Sequence, residues 1–205
     1  YQEFGRKLPW RDTRNPYHIW ISEIILQQTR IAQGIDYYYR FIERFPDVQS
    51  LAAAEQSEVL KYWEGLGYYS RARNLHHTAK ELVNTYEGQF PQHYQEWMKL
   101  KGIGPYTARA IGAFAFANET GVIDGNVLRV MSRFLGDFSP IDQQRTRKKF
   151  QEIIDLWVKG EDPRAFNHGV MDLGSTVCTP TKPACLLCPL ESECQARKEG
   201  SITQL

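Results

Sequence analysis

Cysteine is absent from the first 177 residues of this 205-residue chain. That absence excludes a disulfide scaffold, which spreads its cysteines along a small chain. No apolar run reaches the roughly 18 residues that span a bilayer. The longest candidate is the short stretch around Ile19 to Leu26, and no secretory leader opens the chain. A soluble intracellular protein with no membrane partner is the expectation. Long alternations of apolar and polar residues, the mark of half-buried strands, are missing too, as are low-complexity tracts. Excess charge of either sign is also lacking: 25 Lys and Arg against 24 Asp and Glu leave a formal charge of +1. Such a balance argues against a polyanion partner held by bulk charge. With 42% hydrophobic and 24% charged residues, the composition fits one globular domain or two small lobes. The chain opens on Tyr1, and Ser201 to Leu205 read like the start of a linker, so a piece of a longer chain is expected.

What is present is helical periodicity. Apolar residues recur at spacings of three and four in Tyr17 to Ile31, Ile35 to Phe45, Val59 to Leu66 and Leu75 to Tyr86, which predicts an all-α fold. Gly and Pro punctuate it at Pro46, Gly65 to Gly67, Gly88 to Pro91, Gly102 to Pro105, Gly121 to Gly125 and Ser139 to Pro140. Two of these breaks echo one another: Gly65 to Ser70 and Gly102 to Thr107 both read G-x-G-x-Y-[ST], and each leads into a helical stretch.

In the second of them Gly102 suits the positive φ of a sharp turn, Gly104 permits close backbone approach, and Pro105 suits the first turn of a helix. The free N–H groups at such a helix start form an anion site. A plain helix–helix connection is an equal reading of the motif alone. The surrounding charge favours phosphate: Trp97 to Asn118 carries Lys99, Lys101 and Arg109 and no acid, and Gly65 to Lys80 carries Arg71, Arg73 and Lys80 and no acid.

All four cysteines fall in one segment, Cys178, Cys185, Cys188 and Cys194, a C-x6-C-x2-C-x5-C pattern interrupted by Pro180, Pro183 and Pro189. In an intracellular chain such clustering points to metal, and four thiolates suit either structural zinc or an iron–sulfur cluster. Two disulfides are the remaining alternative.

Two carboxylates carry the chemistry. Glu23 sits in a segment that is apolar nearly all round, Ile19 to Leu26, so it belongs to an interior helix, with Gln27 four residues on along the same face. Burial favours its protonated form, the state of a working general acid; a structural Glu paired with an Arg such as Arg11 is the alternative. Asp124, in Val122-Ile123-Asp124-Gly125-Asn126-Val127, is first of all an N-cap for the helical run to Leu135. The positive helix end also favours its anionic form. One protonated and one ionised carboxyl group divide the work in glycosidic-bond chemistry.

At this point the sequence resembles a known family, the endonuclease III superfamily of helix-hairpin-helix DNA glycosylases, and within it the MutY-type adenine glycosylases. The resemblance spans nearly the whole chain. It rests on Leu8-Pro9-Trp10-Arg11, Ser22 to Thr29, Trp63 to Arg71, the Leu100 to Thr107 hairpin, Val122 to Val127, and the cysteine spacing of an endonuclease III type [4Fe-4S] cluster. It implies a two-lobed fold, with 16–123 as a helical barrel and 1–15 plus 124–205 as the cluster-bearing lobe, and double-stranded DNA containing a mispaired base as partner. A monomer, cytoplasmic or nucleoid-associated, is expected, as is a separate C-terminal 8-oxoguanine recognition domain outside this chain.

The activity implied is excision of adenine mispaired with 8-oxoguanine or guanine, on a nucleotide flipped from the stack. Glu23 would protonate adenine N7, and Asp124 would stabilise or trap the oxocarbenium-like sugar, while Asn126 and Tyr106 orient the acid and the sugar. Trp10 and Arg11 would line the base pocket. Gln28, Leu66 and Tyr68 would enter the stack. Thr29, Arg71, Gly102 and Gly104 complete the implied DNA contacts. Two positions depart from the superfamily. Tyr106 stands where its bifunctional lyases carry Lys, so a monofunctional hydrolase is expected. His168 stands where MutY-type enzymes usually carry Gln or Glu, which leaves thymine or uracil opposite guanine open as the target. A noncatalytic iron–sulfur DNA-binding module and a zinc-bound domain are the further rivals.

The cluster would add about −2 to the formal charge, giving roughly −1. The sum hides segregation, because Glu43 to Glu64 holds five acids and two bases while the two G-x-G stretches hold three bases each and no acid. Local faces, not net charge, would hold DNA.

Overall fold

The computed structural model describes residues 5–205, and among these every regular element is helical. Contacts divide the chain into two units, one formed by residues 7–118 and the other by residues 5–6 with 119–205. The sequence reading places these boundaries at 15/16 and 123/124. Residues 119–123 join the C-terminal unit because Gly121 N donates to Asp155 and Val122 N to Asn167, both of that unit. Residues 8–11 join the other because Trp10 packs edge-on against Tyr38 at 5.3 Å.

Within 7–118, α1 (Pro16–Ile25) starts where the Asn15 side chain accepts from Tyr17 N and Pro16 occupies the first turn. It is followed by α2 (Ile31–Arg44), α3 (Val48–Ala53), α4 (Gln56–Tyr62), α5 (Ser70–Thr85), α6 (Tyr94–Trp97) and α7 (Pro105–Phe116). The apolar run predicts one helix from Tyr17 to Ile31, but α1 ends at Ile25, and Gln28 turns the chain with a left-handed φ of 57°. α1 and α7, the two helices apolar on nearly every face, pack on each other at the centre. Trp20, Trp63, Trp97, Phe41 and Phe45 fill the surrounding core, each buried almost completely. Burying each of these large apolar side chains contributes about 1.5–3 kcal/mol. The polar ends of the buried aromatics are largely met: Tyr17 Oη donates to the Phe45 carbonyl at 2.7 Å, and Trp97 Nε1 to the Pro91 carbonyl at 2.7 Å.

The other unit contains α8 (Gly125–Leu135), α9 (Gln144–Trp157), α10 (Pro163–Asp172) and α11 (Gln195–Glu199). Its core is built from Val127, Met131, Phe150, Ile154 and Val158. α10 runs directly into a π-helical turn, Leu173–Val177, closed by Cys178 N donating to the Leu173 carbonyl at 2.7 Å. Helix pattern alone does not foresee this widened turn. Among the described residues, no helix is long and apolar enough to cross a membrane.

Candidate functional site

In the unit of residues 7–118, Glu23 lies on the last turn of α1 and is only 8% exposed. Its helix packs on α7, whose second residue is the half-buried Tyr106. Just beyond α1, Gln27 Nε2 donates to Thr107 Oγ1 at 3.2 Å, which ties the end of the Glu23 helix to the first turn of α7. Thr29 donates from its backbone N–H to the Leu26 carbonyl at 3.2 Å, and its hydroxyl makes a long contact with the Gln27 carbonyl, 3.5 Å. Trp10 and Arg11 are both buried, and Trp10 is packed against Tyr38 in the core.

The two G-x-G turns fold differently in detail. Gly102 takes φ +78°, and a Cβ there would lie 2.6 Å from Asn74 Cβ, so this turn requires glycine for both conformation and space. Gly104 has an ordinary φ of −87° and caps α7, with nothing within 4 Å of where a Cβ would stand. Its outer side is open to an approaching group. In the first turn Gly65 and Gly67 take positive φ, and so does Tyr68, at 46°. Tyr68 is 65% exposed, whereas Leu66 of the same turn is 8% exposed and points into the core. Of the three side chains expected in the base stack, Gln28 and Tyr68 are exposed and Leu66 is buried.

Arg71 is not spread on an outer face as a phosphate contact would be. Its Nη1 donates to the carbonyls of Ile24, Ile25 and Gln27, and its Nη2 to those of Leu66 and Gly67, at 2.5–3.4 Å. Burial lowers its pKa, with the Tyr68 hydroxyl acting in the opposite direction.

In the other unit, Asp124 caps α8: Oδ1 accepts from Val127 N at 2.7 Å, while Oδ2 accepts from Asn126 Nδ2 at 3.1 Å. Asn126 Oδ1 in turn accepts from Arg129 Nη2 at 2.9 Å, and Arg129 also donates to the carbonyls of Gly174 (2.7 Å) and Cys178 (2.9 Å). A continuous chain of hydrogen bonds thus runs from the Asp124 carboxylate to the first cysteine. The segment that delivers Asp124 is fixed from α10 by the fully buried Asn167, which accepts from Val122 N and donates to the Thr120 carbonyl. Next to it, His168 is buried, at 4% exposure.

The four cysteines are free thiols, all half-buried, and they line one pocket together with Val177, Pro183, Glu191 and Arg197. Burial pushes the Cys188 thiol up, and the other three thiols add to the shift against an opposing backbone hydrogen bond. Arg133, itself almost fully buried, donates to Cys178 Sγ (3.4 Å) and to the Thr179 and Pro180 carbonyls, and Cys194 Sγ donates to the Arg133 carbonyl. Among the described residues no group of three or more His, Cys, Asp or Glu side chains is placed to hold a single metal ion.

Arg129, Arg133, Asn167 and Gly174 escape a sequence reading. A basic residue on an amphipathic helix reads as solvated surface, and only the three-dimensional path reveals that these two arginines are spent on loop carbonyls.

Residues 21–156 match the family described as HhH-GPD superfamily base excision DNA repair protein. The chain is 40% identical over 206 residues to the adenine DNA glycosylase of Buchnera aphidicola subsp. Baizongia pistaciae, an alignment covering 100% of this chain and 58% of that protein. It is 40% identical over 214 residues to the adenine DNA glycosylase of Mus musculus, covering 100% of this chain and 42% of that protein. The chain thus spans about half the length of these relatives. A solved thermostable thymine-DNA glycosylase superposes with a TM-score of 0.87 at 31% identity, covering 95% of this chain and 89% of that one.

Proposed function

The chain belongs to the HhH-GPD superfamily of base excision DNA repair proteins, and on that premise we propose that it hydrolyses the N-glycosidic bond of adenine mispaired with 8-oxoguanine or guanine in duplex DNA, without a lyase step. The observation that carries the reading is a buried carboxyl group, Glu23, on a mostly apolar helix of a chain 40% identical over its own length to part of an adenine DNA glycosylase.

The adenine must leave the stack before its glycosidic bond can be reached. Glu23 then gives its proton to adenine N7, the C1′–N9 bond breaks, and its electron pair departs with the base, which leaves neutral. The positive charge left on the sugar is met by the Asp124 carboxylate, oriented by Val127 N–H and Asn126 Nδ2. Water adds at C1′ and releases a proton to a carboxylate. Tyr106 supplies no amine, so no Schiff base forms and the product is an abasic site. Gln28 and Tyr68, both exposed, enter the stack beside the orphan base, and the open N–H groups at Gly104 hold a phosphate.

Four soft thiols around one pocket, with an arginine N–H on one sulfur, fit a [4Fe-4S] cluster held by Cys178, Cys185, Cys188 and Cys194. Bound there, the cluster supplies a rigid cross-link for the loop that follows the π turn. Stoichiometric iron and acid-labile sulfide in the purified protein are expected, and stoichiometric zinc would contradict this assignment.

The likeness to a thymine-DNA glycosylase favours a second reading, thymine or uracil opposite guanine as target, with His168 in place of the usual Gln or Glu. Single-turnover excision on A:8-oxoguanine, A:G, T:G and U:G duplexes decides between the two. Adenine release from the first two supports the proposal, and pyrimidine release without adenine release overturns it.

A further inference from the structure

Gln28 and Tyr68 share an unusual backbone. Both take left-handed φ values, 57° and 46°, which cost an ordinary L-residue about 1–2 kcal/mol each. Of two other non-glycine residues of this kind, Ala117 caps α7 and Glu87 lies two residues past the end of α5, where left-handed backbone is common. Tyr68 instead precedes α5, where no cap calls for it. Such conformations persist only where the surroundings over-determine them.

The surroundings here are one guanidinium. The angle φ of a residue sets the direction of the carbonyl before it. For Gln28 that carbonyl belongs to Gln27, and it accepts from Arg71 Nη1 at 2.5 Å. For Tyr68 it belongs to Gly67, and it accepts from Arg71 Nη2 at 3.4 Å and from Trp63 Nε1 at 3.1 Å. The same two nitrogens also hold Ile24, Ile25 and Leu66, so the fork is anchored to the end of the Glu23 helix and to the first G-x-G turn at once. The guanidinium also lies 5.2 Å from the Trp63 ring and 5.8 Å from the Tyr68 ring, between a buried aromatic and an exposed one. Its bonds all come from the two terminal nitrogens, and Nε has no partner.

We propose that Arg71 is a positioning residue that locks Gln28 and Tyr68 in their left-handed conformations and so presents two side chains, preset in relation to the Glu23 helix, for insertion into a duplex. The proposal rests on the reading that Gln28 and Tyr68 enter the base stack. A planar fork is required, because a lysine ammonium has three donors radiating from one point and cannot hold two separate turns in fixed directions. Arg71 touches neither base nor sugar; it acts through the two residues it sets.

The test compares the parent chain with Arg71→Lys, Tyr68→Ala, Gln28→Ala and the Arg71→Lys/Tyr68→Ala double variant. Single-turnover excision and duplex affinity are measured together with the fluorescence of 2-aminopurine beside the orphan base, which rises when the stack is opened. Arg71→Lys is expected to lose the fluorescence rise and about tenfold or more in excision rate while affinity changes less than about threefold, since a small misplacement falls on the rate. The double variant is expected to lose less than the combined losses of the two single variants, because the Tyr68 share of the clamp is already gone and only the Gln28 share remains to be lost. An unaltered fluorescence rise in Arg71→Lys, or additive losses in the double variant, overturns the clamp alone. An unaltered rise in both Tyr68→Ala and Gln28→Ala overturns the reading it rests on. A measurement on the unmodified protein covers a variant that does not fold: the Arg71 guanidinium is expected to show hindered rotation and slow N–H exchange by nitrogen NMR, and free rotation overturns the proposal.

Discussion

Arg129 donates from Nη2 to Asn126 Oδ1 at 2.9 Å, so the hydrogen bonds that start at the Asp124 cap of α8 continue through one guanidinium. The same guanidinium holds the Gly174 and Cys178 carbonyls. Replacing it leaves three acceptors without their donor in a half-buried place. Arg129→Met is expected to lower unfolding stability by about 2–3 kcal/mol. Arg129→Lys, which keeps the charge and loses the fork, recovers only part of this. Chemical denaturation checks both, and a loss below about 0.5 kcal/mol for Arg129→Met would contradict the account.

The proposed function gives Asp124 two separable duties. As an N-cap it is equivalent to asparagine, so Asp124→Asn is expected to keep stability within about 0.5 kcal/mol, while Asp124→Ala costs about 1 kcal/mol. As the carboxylate that meets the sugar cation it has no neutral substitute, and both variants are expected to lose about a hundredfold or more in single-turnover excision. Thermal melts and excision rates on the same preparations separate the duties; loss of excision only in step with loss of stability would leave the cap as its whole role.

Gly174 is needed for space. A Cβ there would lie 2.7 Å from Asn126 Cβ and 3.0 Å from the Asn126 carbonyl oxygen, and backbone has little freedom to yield. Gly174→Ala is expected to displace the first turn of α8, costing about 1–3 kcal/mol, and to slow excision with it. A wild-type melting temperature and rate would show that the π turn tolerates the methyl group.

His76 sits on α5, 3% exposed, with Nε2 unpartnered. Burial, helped by Lys80, lowers its pKa below 6.5, against opposing hydrogen bonds to the Ala54 and Ala52 backbone and the charge of Glu55. The folded state therefore prefers the neutral ring. Its contribution to stability is fully present above about pH 6.5 and is lost as pH falls through the lowered folded value. Melting temperature as a function of pH should fall below 6.5 in the parent and fall less steeply in His76→Leu; identical slopes would contradict this.

Much of the architecture is legible in the sequence because its determinants are local. Spacings of three and four residues give helices, and Gly102 followed by Pro105 marks the hairpin. Asp124 ahead of an amphipathic run announces a cap. The end of α1 is not legible, because no Gly or Pro breaks the chain from Leu26 to Ile31 and the left-handed turn at Gln28 is imposed by Arg71, 43 positions further on by residue number. The burial of Leu66 escapes notice for a related reason: on a turn of positive-φ glycines, alternation no longer tells which side chain faces the core. The roles of Arg71, Arg129 and Arg133 are likewise non-local. Basic residues read as surface, yet each is committed to carbonyls that the fold alone brings near.

The central claim is that Glu23 delivers the proton that releases the base. Its most direct test is single-turnover adenine release from an A:8-oxoguanine duplex by the parent chain and by Glu23→Gln, with duplex affinity measured on the same preparations. The amide keeps the size and hydrogen-bonding capacity of the side chain and removes its acid proton. Glu23→Gln is expected to bind the duplex within about threefold of the parent while adenine release falls by about a hundredfold or more. Release at the parental rate, with binding intact, would contradict the account.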